Sequence, residues 1–352
     1  MDNHTEVGLA TYHEIITQTD AWQEATDVVV SQASSLRAFW QDGQYDNVVF
    51  TGCGSTYYLS LAASSLWQTL MDMPAGGIPG GELYLYPLAS YGSLEGRRTL
   101  LVAVSRSGTT SETIAAARQF KARNLGDVMV VTNYDDTPLA ELGDVTIAIP
   151  AGQEKSVAQT RSFASMYVAT TALAATLAGE DRLVEAMKEL PGQGKKLISS
   201  YESLAKTIGS NLDLDRFYFL GSGPRYGLAC EVNLKMKEMT LTHSEPFHFF
   251  EFRHGPMSMV TDTAAVVGLL SDARRGYEQA VMEEMAGLGG HTLALGDSDV
   301  DISFDSQLPE TVRNVLYLPV LQLMAYYRAR AKDLNPDQPT NLSAVVELDL
   351  DA

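Results

Sequence analysis

The chain has 352 residues, 45% hydrophobic and 20% charged, and its 25 basic against 44 acidic side chains leave a net charge of −19. At a loose ~100–200 residues per domain, this is material for two globular domains with sizeable cores. A dispersed excess of acid opposes non-specific binding to a phosphate backbone, which makes nucleic acid a poor partner, although amides and hydroxyls grouped locally can still hold a small anion.

The start, "MDNHTEVG", is polar and acidic. It has no basic, then apolar, signal pattern, so the expected compartment is the cytoplasm. The most apolar stretch, Phe163 to Gly179, is diluted by Ser, Thr and Gly and falls short of the roughly 20 residues that cross a bilayer; it reads as a buried helix, and no membrane association is expected. Cys53 and Cys230 are too few for a disulfide framework and belong to no Cys/His cluster of metal-binding spacing, so they read as small buried thiols with no metal.

Taken in chain order, residues 1–44 form an N-terminal helical segment. Residues 45–180 then alternate apolar runs with helical stretches: Asn47 to Thr56, Thr99 to Gly108, Val128 to Asn133 and Val145 to Pro150. Residues 181–213 are charged and periodic, interrupted by Pro191 and Gly192, and read as linking helices. Residues 214–335 repeat the first pattern at Arg216 to Gly227, Ala264 to Ala273, Thr292 to Asp297 and Asp301 to Asp305, followed by a long amphipathic helix around Pro319, and residues 336–352 form a tail. Continuous apolar strands separated by helices predict parallel sheets covered on both faces. The fold class is therefore α/β, with two tandem doubly wound modules offset by roughly 165–170 residues and flanked by helices.

In open α/β sheets ligands sit beyond the carboxyl ends of the strands, where the next helix offers unpaired amides. "SRSGTTSET", Ser105 to Thr113, stands at such an end. Ser105, Ser107 and Thr110 can add hydroxyls to those amides, and Gly108 lets the backbone approach an anion closely. A capped, polar first turn is the bland alternative. The equivalent turn of the second copy, "LLSDARRG", lacks the Ser-x-Ser-Gly pattern, so one module is expected to hold an anion. "GCGSTY" lacks the third glycine of the dinucleotide fingerprint and no P-loop pattern occurs, which argues against a nicotinamide or P-loop nucleotide enzyme.

In the second copy Glu231, Lys235 and Glu238 recur at helical spacing and share a face. Considered alone, the pattern fits a solvated salt-bridge face as well as a functional one.

"TGCGSTYY", "SRSGTTSET", "GQEKSVAQTRSF", "GSGPRYGLACEVNLKMKEMTLTHSEPFHFFEFRHGP" and "NPDQPTNL" occur together and in the order seen in double sugar-isomerase (SIS) domain proteins. From about Tyr45 onward the chain resembles the isomerase half of glucosamine-6-phosphate synthase. It also resembles stand-alone tagatose-6-phosphate ketose/aldose isomerases and amino-sugar phosphate deaminase/isomerases. The resemblance implies a sugar phosphate held by Ser105, Arg106, Ser107 and Thr110 with Gly54, Ser55 and Thr56 beside it, and Val157 and Gln159 lining the sugar. Arg106 stands where the synthase usually has glutamine, which implies tighter or differently oriented anion binding. By the same resemblance Glu238 moves a proton between C1 and C2 through an enediol or enolamine, with Lys235 on its face, and His254 opens the sugar ring in the active site of a neighbouring subunit of a homodimer. No metal and no organic cofactor is implied. Of the other five histidines, His4 and His13 read as surface residues, His291 as a strand start, and His243 and His248 as packing residues.

Two departures bear on the reaction. Fewer than about 50 residues, none a cysteine, precede the first module, so no ammonia from glutamine is expected in the synthase's manner. Ala344 occupies the position of the synthase's Schiff-base lysine, so an imine through that residue is not expected. The resulting expectation is an aldose–ketose isomerase or isomerising deaminase of a hexose or hexosamine 6-phosphate. A non-catalytic sugar-phosphate sensor and an isomerase of another anionic sugar, such as a sulfosugar, are the alternatives.

Overall fold

The computed structural model describes residues 7–91, 96–346 and 348–350; His4 lies outside them. Two five-stranded sheets, parallel throughout, carry the chain. The first contains β1 (Asn47–Gly52), β2 (Ala75–Pro79), β3 (Thr99–Ser105), β4 (Gly126–Thr132) and β5 (Val145–Ala148), in the order β2-β1-β3-β4-β5. The second contains β6 (Arg216–Leu220), β7 (His243–Phe247), β8 (Ala264–Leu269), β9 (His291–Gly296) and β10 (Ile302–Ser303), in the order β10-β9-β8-β6-β7. Counted from its own first strand, the second order is that of the first, read from the other edge. This is the doubly wound order whose direction reverses beside the first strand. The expected tandem α/β repeat is thus present strand for strand.

The apolar runs named from the sequence become the inner strands and the far edges. β3 and β8 are buried along their whole length, because helices cover both faces of a parallel sheet. Each sheet also has a strand that the apolar pattern did not reveal, β2 ("AGGIP") and β7 ("HSEPF"). Both lie at an edge, where a proline can miss a ladder bond at little cost and half-burial removes the need for a continuous apolar run.

The chain divides into two compact units that interleave in sequence. One comprises Asp20–Gln153, Arg161–Glu189 and Ser343–Ala352, and holds the first sheet; the other comprises Met1–Thr19, Glu154–Thr160 and Leu190–Leu342, and holds the second. In the first, Val49, Leu101, Ala103, Val128 and Val130 pack against Ala116, Ala117 and Phe120 of the Ser111–Ala122 helix. In the second, Tyr218, Leu220, Val266 and Leu270 pack against Val281, Met282 and Met285 of the Arg275–Gly287 helix. Each of the Val, Leu, Phe and Met side chains among them contributes about 1.5–3 kcal/mol by leaving water.

The helix expected over Phe163 to Gly179 runs Arg161–Ala178 and is buried on every side from Ser162 to Thr176. Among the described residues no helix is long and apolar enough to cross a membrane. Pro191 lies in the first turn of the Leu190–Ser210 helix, where its missing N–H costs nothing. The long helix expected around Pro319 is broken instead: a short helix, Glu310–Arg313, and a 3-10 turn precede a Leu318–Ala331 helix that Pro319 opens. Nor is that helix amphipathic, since Leu318 to Tyr326 are all buried.

Candidate active site

The turn after β3 is built from its own hydroxyls. Ser105 Oγ accepts from the Gly108 N–H at 3.1 Å and stands 3.4 Å from Thr110 Oγ1, while Ser107 Oγ accepts from the N–H and hydroxyl of Thr109 at 3.2 and 3.0 Å. Gly108 has φ +65°, and a Cβ there would lie 2.1 Å from Thr137 Oγ1, so only glycine fits. Thr110 is the N-cap of the Ser111–Ala122 helix, yet its side chain caps no amide. Helix-start amides without a side-chain cap are what an anion needs.

Arg106 belongs to the same turn, and part of its guanidinium is engaged by the tail. Its Nη2 donates to the Ala344 carbonyl at 2.6 Å, and the residue is 7% exposed. The backbone carbonyl of Arg106 accepts from Asn133 N–H and Thr132 Oγ1, fixing the turn to the end of β4.

Beyond β1, Gly54 is the N-cap of the Ser55–Met71 helix at φ +57°, ψ −124°; Gly223, after β6, is the N-cap of the Pro224–Thr240 helix at φ +58°, ψ −136°. The repeat therefore extends to a conformation that favours glycine. Ser55 and Thr56 are both buried, and Thr56 Oγ1 serves its own turn, accepting from Cys53 N–H at 2.9 Å and lying 3.0 Å from the Cys53 carbonyl.

Glu231, Lys235 and Glu238 lie on one face of the Pro224–Thr240 helix, as their spacing predicts, but that face is not solvated. Lys235 is 1% exposed and Glu231 fully buried, with Lys235 Nζ 3.2 Å from Glu231 Oε1 and in direct contact with Glu238 Oε1. Glu238, its side chain 14% exposed, is the member that reaches the surface. Burial pulls the Lys235 ammonium toward deprotonation, but the two carboxylates outweigh it and hold its pKa above the ordinary value. A buried cation thus stands beside an accessible carboxylate.

His254 follows a short helix, Phe249–Phe252, with its N–H bonded to the Glu251 carbonyl at 3.0 Å. It is exposed, and among the described residues its ring has no hydrogen-bond partner. His248 stacks on Tyr226 at 3.8 Å, whereas His243 opens β7 in an exposed position and packs no core; His291 opens β9, and His13 is exposed.

Val157 and Gln159 are half-buried on the 154–160 loop, which polar side chains distant in sequence hold in place. Glu14, 4% exposed, accepts from Lys155 N–H at 2.6 Å and from Ser156 Oγ; Val157 N–H donates to the Asp337 carbonyl at 2.9 Å; Glu154 Oε1 accepts from Thr160 N–H and Oγ1 at 2.7 Å. Asp337 in turn accepts from the N–H and Oγ1 of Thr11 at 2.8 and 2.7 Å. Sequence reasoning named neither Glu14 nor Asp337; only the "NPDQP" string marked the second. Among the described residues no group of three or more His, Cys, Asp or Glu has the geometry to hold a metal ion.

Residues 44–176, which contain the hydroxyl turn, match the SIS domain. This segment belongs to the SIS domain family. The second sheet has the same strand order, which fits two tandem SIS modules. The chain is 29% identical to the isomerizing glutamine–fructose-6-phosphate aminotransferase of Pyrococcus horikoshii over 96% of its own length and 57% of that protein's. To the protein of the same description from Halobacterium salinarum it is 30% identical, covering 84% of the chain and 51% of the relative. The chain thus spans about half the length of these relatives. Among solved structures, a glucosamine-6-phosphate deaminase from Thermotoga maritima superposes with a TM-score of 0.75 at 26% identity, covering 92% of this chain and 100% of that one. The tagatose-6-phosphate ketose/aldose isomerase of Escherichia coli has a TM-score of 0.83 at 21% identity, covering 95% and 96%, a likeness of fold.

Proposed function

We propose that the chain is an enzyme that moves a proton between C1 and C2 of a hexose or hexosamine 6-phosphate. The observation that carries this reading is the buried Lys235 held between Glu231 and the accessible Glu238. Aldose–ketose exchange needs a group that removes a proton beside a carbonyl or imine and returns it to the neighbouring carbon. Glu238 takes that role, and the Lys235 ammonium in contact with it fixes the position of its carboxylate. Ser105, Ser107 and Thr110, with the amides at the start of the Ser111–Ala122 helix and Gly54, Ser55 and Thr56, hold the phosphate. Val157 and Gln159 line the sugar. His254, exposed on its loop, opens the ring in a partner subunit of a homodimer.

The similarity to a glucosamine-6-phosphate deaminase along that protein's whole length favours an amino sugar. In that form Glu238 removes the C2 proton of the open-chain aldehyde and delivers it to C1 through an enolamine. The resulting C2 imine takes up water and releases ammonia, leaving the keto sugar phosphate. Arg106, occupied by the Ala344 carbonyl, anchors the chain around the phosphate-binding turn.

The test is an NMR time course in D₂O with glucosamine, galactosamine, glucose and fructose 6-phosphates, following deuterium at C1 and C2 together with free ammonium. Deuterium entry with ammonium is expected for an amino sugar. Deuterium without ammonium on every substrate would make the chain a plain isomerase. Saturable binding with neither signal would overturn the enzymatic reading for these substrates in favour of a sensor.

A further inference from the structure

Strand order reverses beside β1 in the first sheet and beside β6 in the second. In the first, the turns at that reversal are Gly52 to Thr56 and Ser105 to Thr110. In the second they are Gly221 to Arg225 and Leu270 to Arg274, and there the ligands an oxyanion would use are already taken. Ser271 N–H donates to Glu278 Oε2, and Asp272 N–H donates to Glu310 Oε2 at 3.2 Å. Both carboxylates also face Arg225, in the first turn of the Pro224–Thr240 helix: Glu310 pairs with its Nη1, and Glu278 Oε1 stands 4.0 Å from Nη2.

Arg225 is 7% exposed and Glu278 is 3% exposed, so this is a built polar centre rather than a surface ion pair. Arg225 Nε meets no hydrogen-bond partner among the described residues. A buried guanidinium and two amides of one turn form the donor set that recognises a phosphate or sulfate, since both carboxylates and phosphates accept such donors in pairs. Glu310 is the displaceable member: it begins a one-turn helix after Pro309, and its side chain is 26% exposed.

We propose that the crevice between β6 and β8 is an anion site whose oxyanion positions are filled by the chain's own Glu278 and Glu310, and that removal of Glu310 opens it to inorganic phosphate. The missing Ser-x-Ser-Gly pattern in "LLSDARRG" then has a physical meaning. A module whose anion is covalently attached needs no hydroxyl cradle to capture one from solution. The proposal concerns binding alone and stands whether or not the chain is an isomerase.

Equilibrium dialysis of the full chain against inorganic phosphate tests it. Glu310→Ala should bind one phosphate per chain more than the wild type, whatever the wild-type number, and phosphate should raise its unfolding midpoint by more than it raises that of the wild type. Glu278→Gln/Glu310→Ala should hold the additional phosphate more tightly, because the remaining like charge is gone while the acceptor for Ser271 N–H stays. Arg225→Met in that background should abolish the increment, whereas Ser105→Ala/Ser107→Ala should lower the wild-type number and leave the increment intact. If Glu310→Ala fails to fold, Glu310→Ser, which also vacates the carboxylate's place beside Asp272 N–H and Arg225, should still bind the additional phosphate. Equal phosphate binding by the wild type and folded variants would overturn the proposal.

Discussion

Arg106 and Ala344 are 238 residues apart in sequence, yet the guanidinium Nη2 of the first donates to the carbonyl of the second at 2.6 Å. The turn after β3 is thereby tied to the tail, which also meets the Ser111–Ala122 helix through Leu348 N–H on Ser111 Oγ. A bond to a charged, nearly buried donor is worth about 1.5–3 kcal/mol. Arg106→Met should therefore speed cleavage within residues 344–350 by limited proteolysis while leaving the global unfolding midpoint nearly unchanged. Unaltered cleavage would show that the tail is held elsewhere.

Lys235 should resist removal on its own. Lys235→Met leaves Glu231 charged and buried, and breaking such a pair costs about 3–5 kcal/mol. Glu231→Gln/Lys235→Met should recover much of the loss in chemical denaturation. By contrast, Glu238→Gln should fold normally and bind sugar phosphate with near-native affinity, while C1–C2 proton exchange falls by about 10²–10⁴-fold. Retained exchange would remove Glu238 from the proton-transfer role.

Glu14 positions the 154–160 loop, and its two substitutions should part company. Glu14→Ala takes away the acceptor of Lys155 N–H and one partner of Ser156 Oγ, and should raise KM for the sugar phosphate more than it lowers kcat. Glu14→Gln can accept from Lys155 N–H and donate to Ser156 Oγ, whose own proton goes to the Ala158 carbonyl 3.0 Å away. It should restore most of the KM. Equal damage from both variants would mean that the charge, not the hydrogen bonding, matters.

If His254 serves a partner's site, two inactive chains should complement each other. In a mixed dimer of Glu238→Gln and His254→Asn chains, one of the two sites has both intact residues, so co-expression should recover activity that neither homodimer has. Mixed dimers that stay inactive would place ring opening within one chain or on another residue.

Burial pushes the Cys230 thiol up from 9.0 to about 12. A raised native pKa contributes stability that is fully present below the unfolded value and is lost as pH rises, here between about 9 and about 12. Denaturant titrations from about pH 8 to 11 should show stability falling on the alkaline side, with a shallower fall in Cys230→Ala. An identical slope would assign the loss to other groups, among them Lys235, whose raised pKa has the same sign.

What the sequence determined by itself was local. The inner strands were legible because a parallel strand buried on both faces must be apolar throughout, and the hydroxyl turn because a Ser- and Thr-rich string follows such a strand without a break. The helical spacing of Glu231, Lys235 and Glu238 set their common face. Tertiary structure alone decided that this face is buried, since the same spacing fits a solvated helix. It also decided the edge strands β2 and β7, whose glycines and prolines hide the pattern, and the interruption before Leu318 of the long amphipathic helix expected around Pro319. Glu14 on the 154–160 loop, Arg106 on Ala344 and Glu310 on Arg225 were decided in the same way. Such contacts join residues 85 or more positions apart, and a polar side chain matched only by a distant partner leaves no period in the sequence.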